Sequence, residues 1–95
     1  MKNTAGPLDL IFTATLGRVH DGDTRTCVQM RDSAEVFGRR GLVRVSRTID
    51  GESSDGAFIA LGDGTHKLPV TAAVRRAIGK TDGDQVTVHI TARRT

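Results

Sequence analysis

The stretch from His66 to Ala92, HKLPVTAAVRRAIGKTDGDQVTVHITA, decides the fold. It reads as strand, capped helix, glycine stop, tight turn and strand. Leu68 and Val70 bracket Pro69, and proline suits a strand end or edge, where no ladder donor is required. Thr71 supplies a hydroxyl to the orphan N–H groups of a new helix. Val74, Ala77 and Ile78 fall at i, i+3 and i+4 and make one apolar stripe on a short helix. Gly79 takes the left-handed conformation that ends it, and Arg75, Arg76 and Lys80 place positive charge toward the negative end of the helix dipole. Asp82-Gly83-Asp84 turns the chain. Val86, Val88, Ile90 and Ala92 then alternate with polar residues, the mark of a half-buried strand.

Working outward, Leu8 to Val19 is the first strand, with Leu10, Phe12, Ala14 and Leu16 on one parity. His20-Asp21-Gly22-Asp23 is a hairpin turn, and Thr24 to Met30 returns as a strand. Asp32 and Glu35 stand at capping-box spacing, which starts a short helix that Gly38 stops. Leu42 to Ile49 is a third strand, Asp50-Gly51 turns, Gly56 to Leu61 is a fourth strand, and Asp63-Gly64 is a strong two-residue hairpin signal. Thr65 to Val70 and Val86 to Ala92 complete the set. A faint repeat of pattern is present: strand, capped short helix, glycine, strand occurs at Val28–Val45 and again at Leu68–Val88. Two such units packed together close a barrel and limit exposed edges.

Ninety-five residues make one domain with a small core. Residues 1–7 are polar and small and are expected to be flexible, leaving 8–95 as the folded unit. Hydrophobic content is 37% with no Trp or Tyr, so the core must come from aliphatic residues and three Phe. Fourteen basic residues against eleven acidic give a net charge of +3, which permits an acidic partner without demanding one. One cysteine excludes an intramolecular disulfide. No apolar stretch approaches membrane-span length and the N-terminus has no signal-peptide core, so the expectation is a cytoplasmic protein.

The second unit, LPVTAAVRRAIGKTDGDQVTV, resembles the swapped-hairpin barrel module of AbrB/MazE-like DNA-binding proteins. From Leu10 to Ala92 the chain also resembles a bacterial-type family of unknown function, DUF1905, through FTATL, EVFGRRGLVRV, TIDG and the run quoted above. The resemblance implies an all-β fold: a double-split β-barrel of six to seven strands with two short helices and an internal pseudo-two-fold repeat, one chain resembling the two-fold dimer of the AbrB type. It implies no established activity and supplies no catalytic residues. Within RVSRTIDG the chain departs from the pattern, carrying Arg47 where a glycine or small residue is expected before the turn. Some relatives add a helical C-terminal extension associated with bacteriocin protection, and any function seated there is not expected here.

Candidate chemistry is sparse. Gly79-Lys80-Thr81 looks like the end of a phosphate-binding loop, but the required earlier glycine is Val74, and the motif ends a helix where a phosphate loop must begin one. The five Asp-Gly pairs, at Asp21, Asp50, Asp55, Asp63 and Asp82, lack the ligand spacing and distal Glu of a calcium loop and read as turns. His20, Asp21 and Asp23 have no second histidine nearby, and His66 and His89 read as surface residues on separate strands, so no metal site is expected. Cys27 shares strand parity with Arg25, Gln29 and Arg31, which predicts an exposed thiol beside positive charge, with no triad around it.

The arginines are the functional lead. Arg39, Arg40, Arg44 and Arg47 cluster around one strand, with Arg75, Arg76, Arg93 and Arg94 later. An arginine-rich β-surface tracks phosphates, and the lack of interleaved aromatics argues against base stacking on single strands. The leading expectation is a non-enzymatic binding or interaction module of unknown ligand, without cofactor and monomeric. The alternatives are a DNA-binding barrel contacting phosphates through Arg39, Arg40, Arg44 and Arg47, and a small-molecule binder or enzyme with its site in a barrel split.

Overall fold

The computed structural model describes residues 6–18, 25–30, 37–38, 41–61 and 65–94. Within them lie six strands and one helix: β1 (Gly6–Thr15), β2 (Cys27–Met30), β3 (Val43–Ile49), β4 (Glu52–Ala60), β5 (His66–Pro69), α1 (Ala72–Ile78) and β6 (Gln85–Arg93). All neighbouring strands are antiparallel, in the order β1-β6-β3-β4-β5-β2. A bridge between Gly17 and Cys27 joins the two ends of this order, so the sheet is a nearly closed barrel. No described helix is long and apolar enough to cross a membrane.

Alternation places the core as the sequence predicts. Val43, Val45 and Ile49 of β3 and Val86, Val88 and Ile90 of β6 are buried and fill the barrel with Leu16, Val28, Phe58, Leu68 and Val70. Each such aliphatic side chain contributes about 1.5–3 kcal/mol when fully withdrawn from water. On β1, Leu10, Phe12 and Ala14 pack against this core while Ile11 on the opposite parity is 60% exposed.

The helix carries the caps read from the sequence. Thr71 Oγ1 accepts from the Val74 N–H at 3.3 Å, and Gly79, at φ +70°, ends the helix by donating toward Arg76 while Lys80 donates to the Arg75 carbonyl. Only Val74 and Ile78 of the expected stripe turn inward; Ala77 is exposed, because two helical turns present a single i, i+4 pair to the barrel. The turn at Asp82-Gly83 is tied to the end of β1: the Gly83 N–H donates to Leu16 O at 2.8 Å and the Leu16 N–H to Asp84 O at 2.9 Å.

Several boundaries differ from expectation. The β1 strand begins at Gly6, whose backbone pairs with Arg93. The fourth strand starts four residues early, at Glu52, because Asp50 (φ +49°) and Gly51 (φ +88°) alone complete the hairpin turn. Asp55-Gly56 therefore lies inside a strand and is not a turn. The expected helix between Asp32 and Gly38 falls mostly outside the described residues, although Gly38 has the left-handed conformation (φ +65°) of a helix stop. The turns at His20–Asp23 and Asp63-Gly64 also lie outside them; beside the second, the Leu61 N–H donates to Thr65 O at 3.0 Å.

Candidate binding surface

Of the four arginines expected to contact phosphates, the two described ones, Arg44 and Arg47, lie on opposite faces of β3. Arg44 is exposed on β3, and Arg39 and Arg40 lie outside the described residues. Arg47 is only 3% exposed. Unbroken alternation along β3 puts Arg47 on the inward parity shared with Val43, Val45 and Ile49; the irregularity in the β3–β6 pairing, between Ser46 and Arg47, skips Thr91 on β6. Its guanidinium crosses the bare backbone of Gly56 on β4 and donates from Nη1 to Pro69 O at 3.4 Å. The Nε has no hydrogen-bond partner among the described residues, nor has the Oγ of Ser54, which stands opposite Arg47 across the β3–β4 ladder. Burial lowers the Arg47 pKa, an effect partly offset by the nearby charge of Asp55.

Two other sequence expectations change in the same way. Cys27 is 1% exposed, its Sγ turned to the Arg25 carbonyl, because β2 packs against both β5 and the end of β1. His66 is fully buried, with Nε2 2.7 Å from Gly41 O and its ring edge-on to Phe37 and Phe58. His89 is half-buried and meets Asp9 at 2.6 Å. It lies on β6, which is not paired with the β5 strand that carries His66. Among the described residues no three His, Cys, Asp or Glu side chains gather as a metal site would require. A second inward arginine, Arg93, is 7% exposed and lies over the Phe37 ring, 5.5 Å from its centroid.

Several of the described surface charges are paired. Lys80 meets Asp50 at 2.6 Å, Arg94 meets Asp55 at 3.5 Å, and Arg18 lies 3.9 Å from Asp82. The Asp50 carboxyl is held below its usual pKa by the bond from Lys80 and by the Thr87 N–H. Arg25, Arg75 and Arg76 form no ion pair among the described residues.

Arg25 and Arg75 line a cleft beside the start of α1, and Arg76 follows in the last turn of the helix. This cleft, of about 400 Å³, lies between the approach to β2 and the first turn of the helix, lined by Arg25, Thr26, Pro69, Val70, Thr71 and Arg75. A shallower groove runs on from it along the helix past Arg75 and Arg76. Arg75 is braced by an Nε bond to Val70 O at 3.2 Å, and Thr26 by a bond to the Asp82 carboxylate at 2.6 Å. Among the described residues no carboxylate lines the cleft. The sequence gives little sign of this grouping: Arg75 and Arg76 read as helix-end charges, and Arg25 joins them only because Cys27 pairs with Pro69.

The chain's residues 12–90 match the model of a family described as Domain of unknown function (DUF1905). No curated protein matches it.

Proposed function

The chain belongs to the DUF1905 family, and from that premise we propose that the domain is a non-enzymatic binding module whose ligand or partner is anionic. The observation that carries this reading is the uneven pairing of charge. Carboxylates accompany Arg18, Lys80 and Arg94, whereas Arg25, Arg75 and Arg76 flank adjoining grooves that no acid lines among the described residues. Uncompensated arginines attract anions and present forks suited to phosphate and carboxylate. Apolar side chains make up most of the barrel core, and the buried Arg47, Arg93 and His66 bond to backbone carbonyls within it, which supports binding at the surface over chemistry inside.

A second reading, DNA binding through phosphates on the β3 side, rests on Arg44, which points outward from a strand that follows Arg39 and Arg40 in sequence. Supporting an AbrB-like, double-split architecture, β2 pairs with β5 about Val28 and Leu68, and β3 pairs with β6 about Arg47 and Ile90. The β1–β6 pairing is likewise matched by β4–β3, and the β1–β2 bridge by β4–β5. Two three-strand units, β1-β2-β3 and β4-β5-β6, related by a pseudo-two-fold axis give this pairing, which needs no second chain to close the core and favours a monomer. A cytoplasmic setting fits a lone, buried cysteine.

Fluorescence anisotropy of a labelled mixed-sequence DNA duplex, serving as a polyanion, tests both readings at low and physiological salt. Binding with a steep salt slope that is lost in Arg75→Gln/Arg76→Gln supports the helix face. Loss in Arg39→Gln/Arg40→Gln/Arg44→Gln instead supports the β3 side. No binding at low salt overturns a polyanion-binding role.

A further inference from the structure

Two guanidinium groups bond to one short stretch of backbone, and a third lines the cleft beside it. Arg75 donates from outside to Val70 O at 3.2 Å, Arg47 donates from inside the barrel to Pro69 O at 3.4 Å, and Arg25 stands on the opposite rim of the cleft that Pro69 and Val70 line. Resting on the anionic-ligand reading above, we propose that this cleft binds the phosphate group of a small phosphate monoester, gripped by Arg25 and Arg75 and favoured by the buried charge of Arg47 behind the wall.

Three features support a phosphate monoester. First, a charged guanidinium is withdrawn from water inside the barrel with no carboxylate bonded to it among the described residues, and such a charge is costly unless something opposite lies near. Asp55, the acid that acts on it, is exposed and already engaged by Ser46 at 3.1 Å and by Arg94. An anion seated against Pro69 and Val70 supplies the missing charge. Second, two rim arginines match the dianion of a monoester, whose three free oxygens accept from both forks. Third, the cleft has an apolar side, made by Pro69, Val70 and Ala72, and its size suits a small organic body joined to the phosphate. Asp82, the acid bonded to Thr26, is turned to that hydroxyl and to Arg18 and does not line the cleft.

The experiment is a titration of the intact, isotopically labelled chain, followed by amide chemical shifts, with inorganic phosphate, phenyl phosphate and sodium chloride at matched ionic strength. Saturable shifts at Thr26, Val70, Thr71 and Ala72, tighter for phenyl phosphate than for inorganic phosphate, are expected. Arg25→Ala, at an exposed position, weakens binding ~10-fold without changing the melting temperature in chloride. Arg75→Gln weakens it similarly, with its spectrum in chloride reporting that the fold is kept. Arg47→Met weakens it less, since Arg47 acts through the field alone. Shifts reproduced by chloride, or unchanged in Arg25→Ala and Arg75→Gln together, overturn the site. If phosphate fails while the labelled duplex still binds in an Arg75/Arg76-dependent way, this inference falls and the anionic-partner reading stands; if neither binds, both fall.

Discussion

Gly56 lies directly under the guanidinium of Arg47: a Cβ built at position 56 falls 2.9 Å from Arg47 Nε and 3.0 Å from its Cζ. The glycine is inside a strand and has no unusual φ, so its role is room for a buried arginine rather than backbone freedom. Gly56→Ala forces Arg47 off its bond to Pro69. The expected cost is about 1 kcal/mol, the low end for overpacking, set against a smaller gain from stiffening the unfolded chain. In an Arg47→Ala background the penalty disappears, and a double-mutant cycle by urea unfolding measures this coupling.

Arg47→Met keeps the length and removes the charge. Burial disfavours the charged form of Arg47, the charge of Asp55 offsets this only in part, and among the described residues Arg47 has no ion pair and one nitrogen has no partner. Replacing a poorly compensated buried charge by an apolar chain of similar volume is neutral or stabilising. The melting temperature of Arg47→Met is therefore expected to equal or exceed that of the wild type. A large loss of stability would show that Arg47 is well satisfied in solution.

The Asp50–Lys80 contact predicts an acid-sensitive increment. Asp50 Oδ1 accepts from the Thr87 N–H at 2.7 Å while Oδ2 meets Lys80 at 2.6 Å, and both lower its pKa. A carboxyl whose folded pKa is depressed adds stability above its unfolded pKa of about 3.9 and loses it as pH falls through the lower folded value. Asp50→Asn keeps the left-handed backbone that Asn tolerates and removes the charge. At pH 7 it is expected to cost about 0.5–1 kcal/mol, the range for exposed pairs, and the difference from wild type should shrink at pH 2–3 in parallel urea titrations.

The two ends of α1 carry separable increments. Thr71→Ala removes the hydroxyl that holds the Val74 N–H and should cost about 1 kcal/mol. Gly79→Ala meets no atom within 4 Å but must hold φ at +70°, so its cost, also about 1 kcal/mol, is backbone strain alone. Gly79→Asn should recover part of that loss. Thermal unfolding of the three variants checks both values; an unchanged Gly79→Ala would mean that the C-terminal cap relaxes out of the left-handed form.

Local chemistry determined much of this fold. The Thr71 cap, the Gly79 stop, the Asp50-Gly51 turn and the alternation of β3 and β6 all depend on contacts within a few residues, and each was legible as a pattern of residue types. The approximate strand set and the apolar core followed from the same alternation, because a strand buries every second side chain.

Tertiary structure alone decided the arginines. Parity along β3 gave Arg47 an inward position, but only the empty space over Gly56, nine residues on and in the neighbouring strand, lets a guanidinium stay there. Cys27 and His66 went inside for a related reason: their burial is set by which strands cover them, and strand order is a long-range property that residue spacing does not encode. The cleft between Arg25 and Arg75 exists because β2 pairs with β5, bringing together residues fifty positions apart in the chain.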